Sequence, residues 1–139
     1  MKNATISIDA QIKKSAHWLP ELALVSLVVG CRAAIEKLGP YADSVEVIKV
    51  TSEMSGANSV YCNVKMILAD IGSESKVEVE VREFFLYSCA EPPTFRAATT
   101  LGSSLCEKLI SRTKHVLKEV LGGAQMRTAR AQSFLNHLE

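Results

Sequence analysis

The side chains that usually carry catalysis or bind metals are few in this sequence and lie far apart. The only histidines are His17, His115 and His137, and none has the His-x-x-x-His or Glu-x-x-His spacing of a zinc site. No Cys-x-x-Cys pair occurs among the four cysteines, which are Cys31, Cys62, Cys89 and Cys106. The glycines form no phosphate-binding loop. We therefore predict no catalytic residues, no metal and no cofactor.

One catalytic alternative stays open. A cysteine nucleophile and His115 can meet in space without any sequence signature. A small enzyme of thioesterase-like architecture, with a deep pocket holding such a group, is therefore the weaker alternative to a binding protein.

Cationic side chains are the second feature with a chemical role. The whole chain has a net charge of +1, so affinity for nucleic acid depends on where its charges lie. From residue 92 to residue 139, seven Lys or Arg stand against three Glu, a local charge of +4. We expect phosphate binding by basic residues of the second long helix, extended by two on the first: Lys108, Arg112, Lys114, Lys118, Arg32 and Lys37. An ordinary solvated helix face has the same composition, and this alternative stays open.

The periodicity of apolar residues predicts the elements that position these side chains. Residues 5–12 alternate as a half-buried strand, and a stripe at steps of three and four predicts a helix over about 19–38, ended by Gly39-Pro40. Three alternating strands follow, from 45, from 60 and from 76 to about 87, with a bulge expected at Val47-Ile48. A second, long apolar stripe predicts a helix up to Gly122-Gly123.

These elements predict an α+β fold of order β-α-β-β-β-α. We expect two helices packed on one face of a four-stranded, mostly antiparallel sheet, with the other face wet. The length fits a single domain, residues 1–123. Residues 124–139 are predicted to be a C-terminal tail, a short helix or a partner-binding peptide.

The order of these elements resembles that of a known protein family. Residues 36–47 (EKLGPYADSVEV) end a helix and begin a strand, a turn follows at Ser55-Gly56, and a late helix is rich in Leu, Arg and Lys. Over residues 5–121 this pattern resembles the hibernation-promoting factor family, also called ribosome-associated inhibitors or sigma-54 modulation proteins. The resemblance implies a double-stranded-RNA-binding-like fold that binds the small ribosomal subunit and blocks messenger and transfer RNA.

The function expected from the sequence is thus non-enzymatic RNA or ribosome binding that modulates translation. The alternative is a protein-binding module or secretion-type chaperone, which uses an exposed sheet face or the C-terminal residues Phe134-Leu135. We expect no membrane association, because the apolar run from about residue 19 carries Glu21 and is shorter than the roughly 20 residues that span a bilayer. Dispersed cysteines suit the reducing cytoplasm.

Overall fold

The computed structural model of this protein describes residues 21–56, 59–69, 71, 76–86, 95–123 and 129–139. These residues form a mixed α+β architecture of helices and one antiparallel sheet. The helices are α1 (Glu21–Leu38), α2 (Phe95–Gly123) and α3 (Ala129–Leu138), with a 3-10 helix (Gly39–Ser44) directly after α1. The strands are β1 (Val45–Gly56), β2 (Ser59–Ala69) and β3 (Lys76–Leu86).

The predicted α+β class is confirmed, but the predicted order, with two helices on a four-stranded sheet, is wrong. In the described part of the chain the sheet has three strands, in the order β1-β2-β3, and a third helix follows α2. Each strand pairs antiparallel with the next one, so a simple meander supplies the layer that α1 and α2 cover. The strand predicted over Thr5–Ile12 lies outside the described residues.

Strict alternation determines which face of the sheet is buried. On β2, the side chains of Cys62, Val64, Met66 and Leu68 are fully buried, as their period of two predicts. On β1 the register shifts between Val45 and Val47, which makes Glu46 the extra residue of a bulge. The bulge restores Val45 and Ile48 to the same buried face, whereas the sequence predicts it one residue later, at Val47-Ile48.

Two glycines allow α1 and α2 to pack closely. A Cβ atom built on Gly30 would lie 2.7 Å from the carbonyl oxygen of Gly102, and one built on Gly102 would lie 2.8 Å from Cγ1 of Val29. No side chain fits at this crossing, so the two backbones meet directly. In the described residues, no helix is both long enough and apolar enough to cross a membrane.

The third helix is held by its own apolar stripe. Ala131, Phe134 and Leu135 are buried and Leu138 is partly buried, at the i, i+3, i+4 and i+7 positions of one helix face. Phe134 stacks on Tyr41 of the 3-10 helix, with ring centroids 4.8 Å apart. The sequence predicts a short helix here only as one of three alternatives, because the apolar stripe covers only two turns.

Candidate nucleic-acid interface

An open cleft of about 630 Å³ lies between β3 and α2. Glu80 and Val81 form its sheet side. Its helical wall carries hydroxyl, ammonium, guanidinium, imidazole and carboxylate groups, from Ser104, Glu107, Lys108, Ser111, Arg112 and His115. Most of these groups donate hydrogen bonds, so this wall is chemically suited to an anionic ligand.

The sequence of α2 explains why these side chains share one wall. Positions 104, 108, 111 and 115 recur at steps of four, three and four residues, which is one side of a helix. The adjacent side of α2 is apolar and buried in the core, with Leu105, Leu109 and Val116. Burying that apolar side turns the polar side toward β3.

A buried carboxylate on β3 holds Lys108 in the cleft. Nζ of Lys108 lies 3.1 Å from Oε1 and 3.1 Å from Oε2 of Glu83. The Glu83 side chain is only 8% exposed, whereas that of Lys108 is 48% exposed. Lys108 donates a hydrogen bond to Oε1, but the contact with Oε2 lacks hydrogen-bond geometry and leaves that oxygen without a hydrogen-bond partner in the structure. The charge of Lys108 is therefore largely balanced inside the protein.

Removing Lys108 should destabilise the folded protein. We expect Lys108→Ala to lower the free energy of unfolding by about 1 to 2 kcal/mol, because Glu83 then loses its cation while it stays buried. Adding Glu83→Gln should recover part of the loss, since the amide carries no charge. Urea denaturation measures both effects, with Lys114→Ala on the same helix as the control. An unchanged unfolding midpoint for Lys108→Ala would contradict a structural role for the pair.

The core thiols do not have the properties of nucleophiles. Burial, reinforced by Cys106, raises the pKa of Cys31 to about 12. Burial, reinforced by Glu83, raises the pKa of Cys62 to about 12. Such thiols stay protonated at neutral pH, whereas reactive cysteines have lowered pKa values. Nε2 of His115 lies 2.9 Å from Oε1 of Glu119, so this geometry gives no support to a pairing of His115 with either thiol.

Of the six basic residues predicted to bind phosphate, Lys108 and Arg112 line the cleft. Arg112 is exposed and forms no ion pair with any described residue. Lys114 is half-buried and is not part of the cleft lining, and Lys118 places Nζ 3.3 Å from Oε1 of Glu139. Arg112 is therefore the cleft cation whose charge is open to a ligand.

The two basic residues of α1 do not extend this wall. Arg32 and Lys37 are exposed, but their five-residue spacing separates them by about 140° around the helix. Burial raises the pKa of Cys106, and the nearby charge of Lys37 opposes that rise. Neither Arg32 nor Lys37 is among the residues that line the cleft, so the structure does not bring all six residues together there.

Glu83 is the residue of this region that sequence reasoning missed. The alternation that buries Val79 and Val81 also puts Glu83 on the buried face, so the strand period already contained the signal. Ser104 and Ser111 were also missed, although their spacing from Lys108 places them on the same helix side.

Among the residues that the structure describes, no three His, Cys, Asp or Glu side chains lie together as metal ligands. The ligand class therefore has to be inferred from the side chains of the cleft and of the sheet surface. In comparisons with known proteins, the chain matches no family model, no curated protein and no solved structure.

Proposed function

We propose that this protein binds RNA without catalysing a reaction, and that the α2 wall of the cleft contacts the phosphate backbone. The observation that carries this proposal is the position of Arg112. Its guanidinium is exposed, forms no ion pair with a described residue, and shares an open cleft with the Ser111 hydroxyl. Guanidinium and hydroxyl groups are frequent partners of phosphate oxygens in complexes with nucleic acids.

The charges around the cleft limit the strength of this binding. Lys108 is balanced by Glu83, and the carboxylates of Glu80 and Glu107 also line the cleft. We therefore expect only one or two phosphate contacts. Since each neutralised phosphate contributes roughly 0.7 to 0.9, the slope of log affinity against log salt should be about −1 to −2.

The RNA target is proposed from the family resemblance. The resemblance to hibernation-promoting factors supports ribosomal RNA of the small subunit, and the cytoplasm, as the setting. Part of that resemblance came from an element order that the structure corrects, with three described strands instead of four. RNA binding is therefore the main proposal, and the small ribosomal subunit is the RNA target to test first.

Charge reversal at Arg112 tests the proposal. We expect Arg112→Glu to weaken binding of a fluorescently labelled RNA by about tenfold or more at low salt, because one charge-assisted contact becomes a repulsion. Arg32→Glu makes the same change in net charge on α1, away from the cleft, and should have a much smaller effect. Fluorescence anisotropy measures affinity, and co-sedimentation with small subunits tests the target.

Equal losses in the two variants would assign binding to the overall charge of the protein and not to the cleft. An Arg112→Glu variant that binds RNA as the wild type does would overturn the proposal.

Protein binding is the second candidate function. Protein binding through the C-terminal residues has no apolar surface to use, because Phe134 is fully buried and Leu135 is 7% exposed. Protein binding through the open face of the sheet is favoured by Phe84, which is 39% exposed on that face. Self-association that depends on Phe84, without any dependence of RNA affinity on Phe84, would favour this candidate over RNA binding.

A further inference from the structure

An aromatic pair lies on the open face of the sheet, at the end nearest the β1-β2 connection. Tyr61 on β2 and Phe84 on β3 are direct partners in the antiparallel register. Their ring centroids are 4.8 Å apart and the ring planes are inclined by 45°. Tyr61 is half-buried, whereas Phe84 is one of two large apolar side chains that are exposed among the described residues. A cross-strand aromatic pair stabilises a sheet, but it does not require an exposed ring.

One cation without a carboxylate partner among the described residues lies beside this pair. The Arg82 guanidinium carbon lies 5.7 Å from the centroid of the Tyr61 ring, and Arg82 is exposed. Arg82 forms no ion pair with a described residue. Lys49 on β1 is also exposed, but the register places it opposite Lys65, in the other half of the face. The Tyr61 end of the face therefore combines aromatic rings with a guanidinium that has no ion-pair partner among the described residues.

The other half of the same face carries three ion pairs among the described residues. Lys65 lies 3.8 Å from Glu78 and 3.9 Å from Glu80, and Lys76 lies 3.0 Å from Glu46. Ion pairs of this kind are typical of a solvated sheet surface. The contrast along one face singles out the Tyr61 end as the part suited to a ligand that is both flat and anionic.

We infer that Tyr61, Phe84 and Arg82 form a stacking site for unpaired bases, so that the RNA bound by this protein is single-stranded. The inference rests on the proposed RNA binding and specifies its ligand. Bases stack on exposed aromatic rings and on guanidinium planes, and the phosphates between them contact neighbouring cations. In a duplex the base faces are already stacked on one another, so they cannot use this site.

The stacking site and the cleft are joined by β3. Glu80 lines the cleft, and Phe84 is four residues further along the same strand, a distance of about 13 Å. We therefore expect a short single strand that follows β3 to place one phosphate in the cleft and one base on Phe84. The register places Glu53 opposite Tyr61, so we expect the phosphates to pass on the Arg82 side of the rings.

Two probes separate stacking from backbone contact: a labelled oligouridine and an abasic strand of the same length, which keeps the phosphates. We expect Phe84→Ala in the full chain to weaken oligouridine binding by about tenfold and to leave binding of the abasic strand unchanged. Arg112→Glu should weaken binding of both strands. Phe84→Tyr should retain binding, and Ile67→Ala, an apolar truncation on the half of the face with the ion pairs, is the matched control.

If Phe84→Ala binds oligouridine as the wild type does while Arg112→Glu is impaired, RNA binding stands and the stacking site is overturned. If the wild type binds neither strand, the proposed function fails and the inference fails with it. A third outcome is that the wild type self-associates in sedimentation and the Phe84→Ala variant does not, while the two bind RNA equally well. This face would then be a protein contact, and the inference would be overturned. Equal losses for Ile67→Ala and Phe84→Ala would show general damage to the sheet surface, which also contradicts a specific stacking site.

Discussion

Replacing Phe134 with alanine should lower the free energy of unfolding by about 3 to 5 kcal/mol. The ring is fully buried and stacks almost parallel on Tyr41, with an interplanar angle of 15°. The truncation removes the largest buried side chain of α3 and leaves a cavity between α3 and the 3-10 helix. The short α3 has no stability of its own, since isolated helices shorter than about 12 residues are marginal in water. We therefore expect α3 to detach from the 3-10 helix in the Phe134→Ala variant.

Polar contacts support the same docking but should not replace the ring. Nε and Nη2 of Arg130 donate hydrogen bonds to Oγ of Ser44, at 3.1 and 2.7 Å, and Nε2 of His137 lies 3.0 Å from the carbonyl oxygen of Lys37. Urea denaturation gives the stability, and amide hydrogen exchange over 129–138 reports detachment. Ser133→Ala, an exposed neighbour on α3, is the control. A loss below about 1 kcal/mol for Phe134→Ala would show that α3 is not docked as described.

Adding one methyl group at Gly30 should be the second most damaging change, with a loss of about 2 to 3 kcal/mol. The new Cβ would lie 2.7 Å from the carbonyl oxygen of Gly102 and 2.9 Å from Cβ of Leu105. A backbone oxygen cannot rotate away, so α1 and α2 have to separate and their shared core loosens. The better helix propensity of alanine, about 1 kcal/mol, only partly offsets this cost.

Gly122 provides a matched control of opposite sign. It lies in α2 near the helix end, and a Cβ built there meets nothing within 4 Å. Gly122→Ala should therefore raise stability by up to about 1 kcal/mol through helix propensity alone. Thermal unfolding of the two variants at one protein concentration would give melting shifts of opposite sign. If both shifts have the same sign, the close approach of α1 and α2 does not limit side-chain size.

Local periodicity was enough to predict most elements of the fold. The three-and-four stripe and Gly39 predicted where α1 ends, and Gly39 does adopt the left-handed conformation, with φ of 57°. Alternation predicted the buried face of β2. The number of strands in the sheet and the docking of α3 were not predictable in this way, because both depend on contacts between distant segments. Phe134 of α3, for example, stacks on Tyr41 of the 3-10 helix, which is distant from it along the chain.

The candidate site was harder to predict than the fold. The sequence shows an excess of Lys and Arg beyond residue 92, but it does not show which of these side chains form ion pairs with carboxylates. Lys108 is balanced by Glu83 from β3, and Lys118 is balanced by Glu139 from beyond α3. Both carboxylates are far from their partners along the chain or on another element, so helix periodicity could not reveal them. Only the three-dimensional arrangement shows that Arg112 is the cleft cation without an ion-pair partner among the described residues.

The contact between Arg130 and Ser44 joins positions 86 residues apart. Contacts at such separation carry a large loop-closure entropy and form late, and a growing chain folds its earlier segments first. The helix that covers the Tyr41 ring is therefore the last of the described elements to be synthesised. We expect nascent chains to expose this ring until residues 129–138 dock, and their tendency to aggregate should fall once this helix has folded.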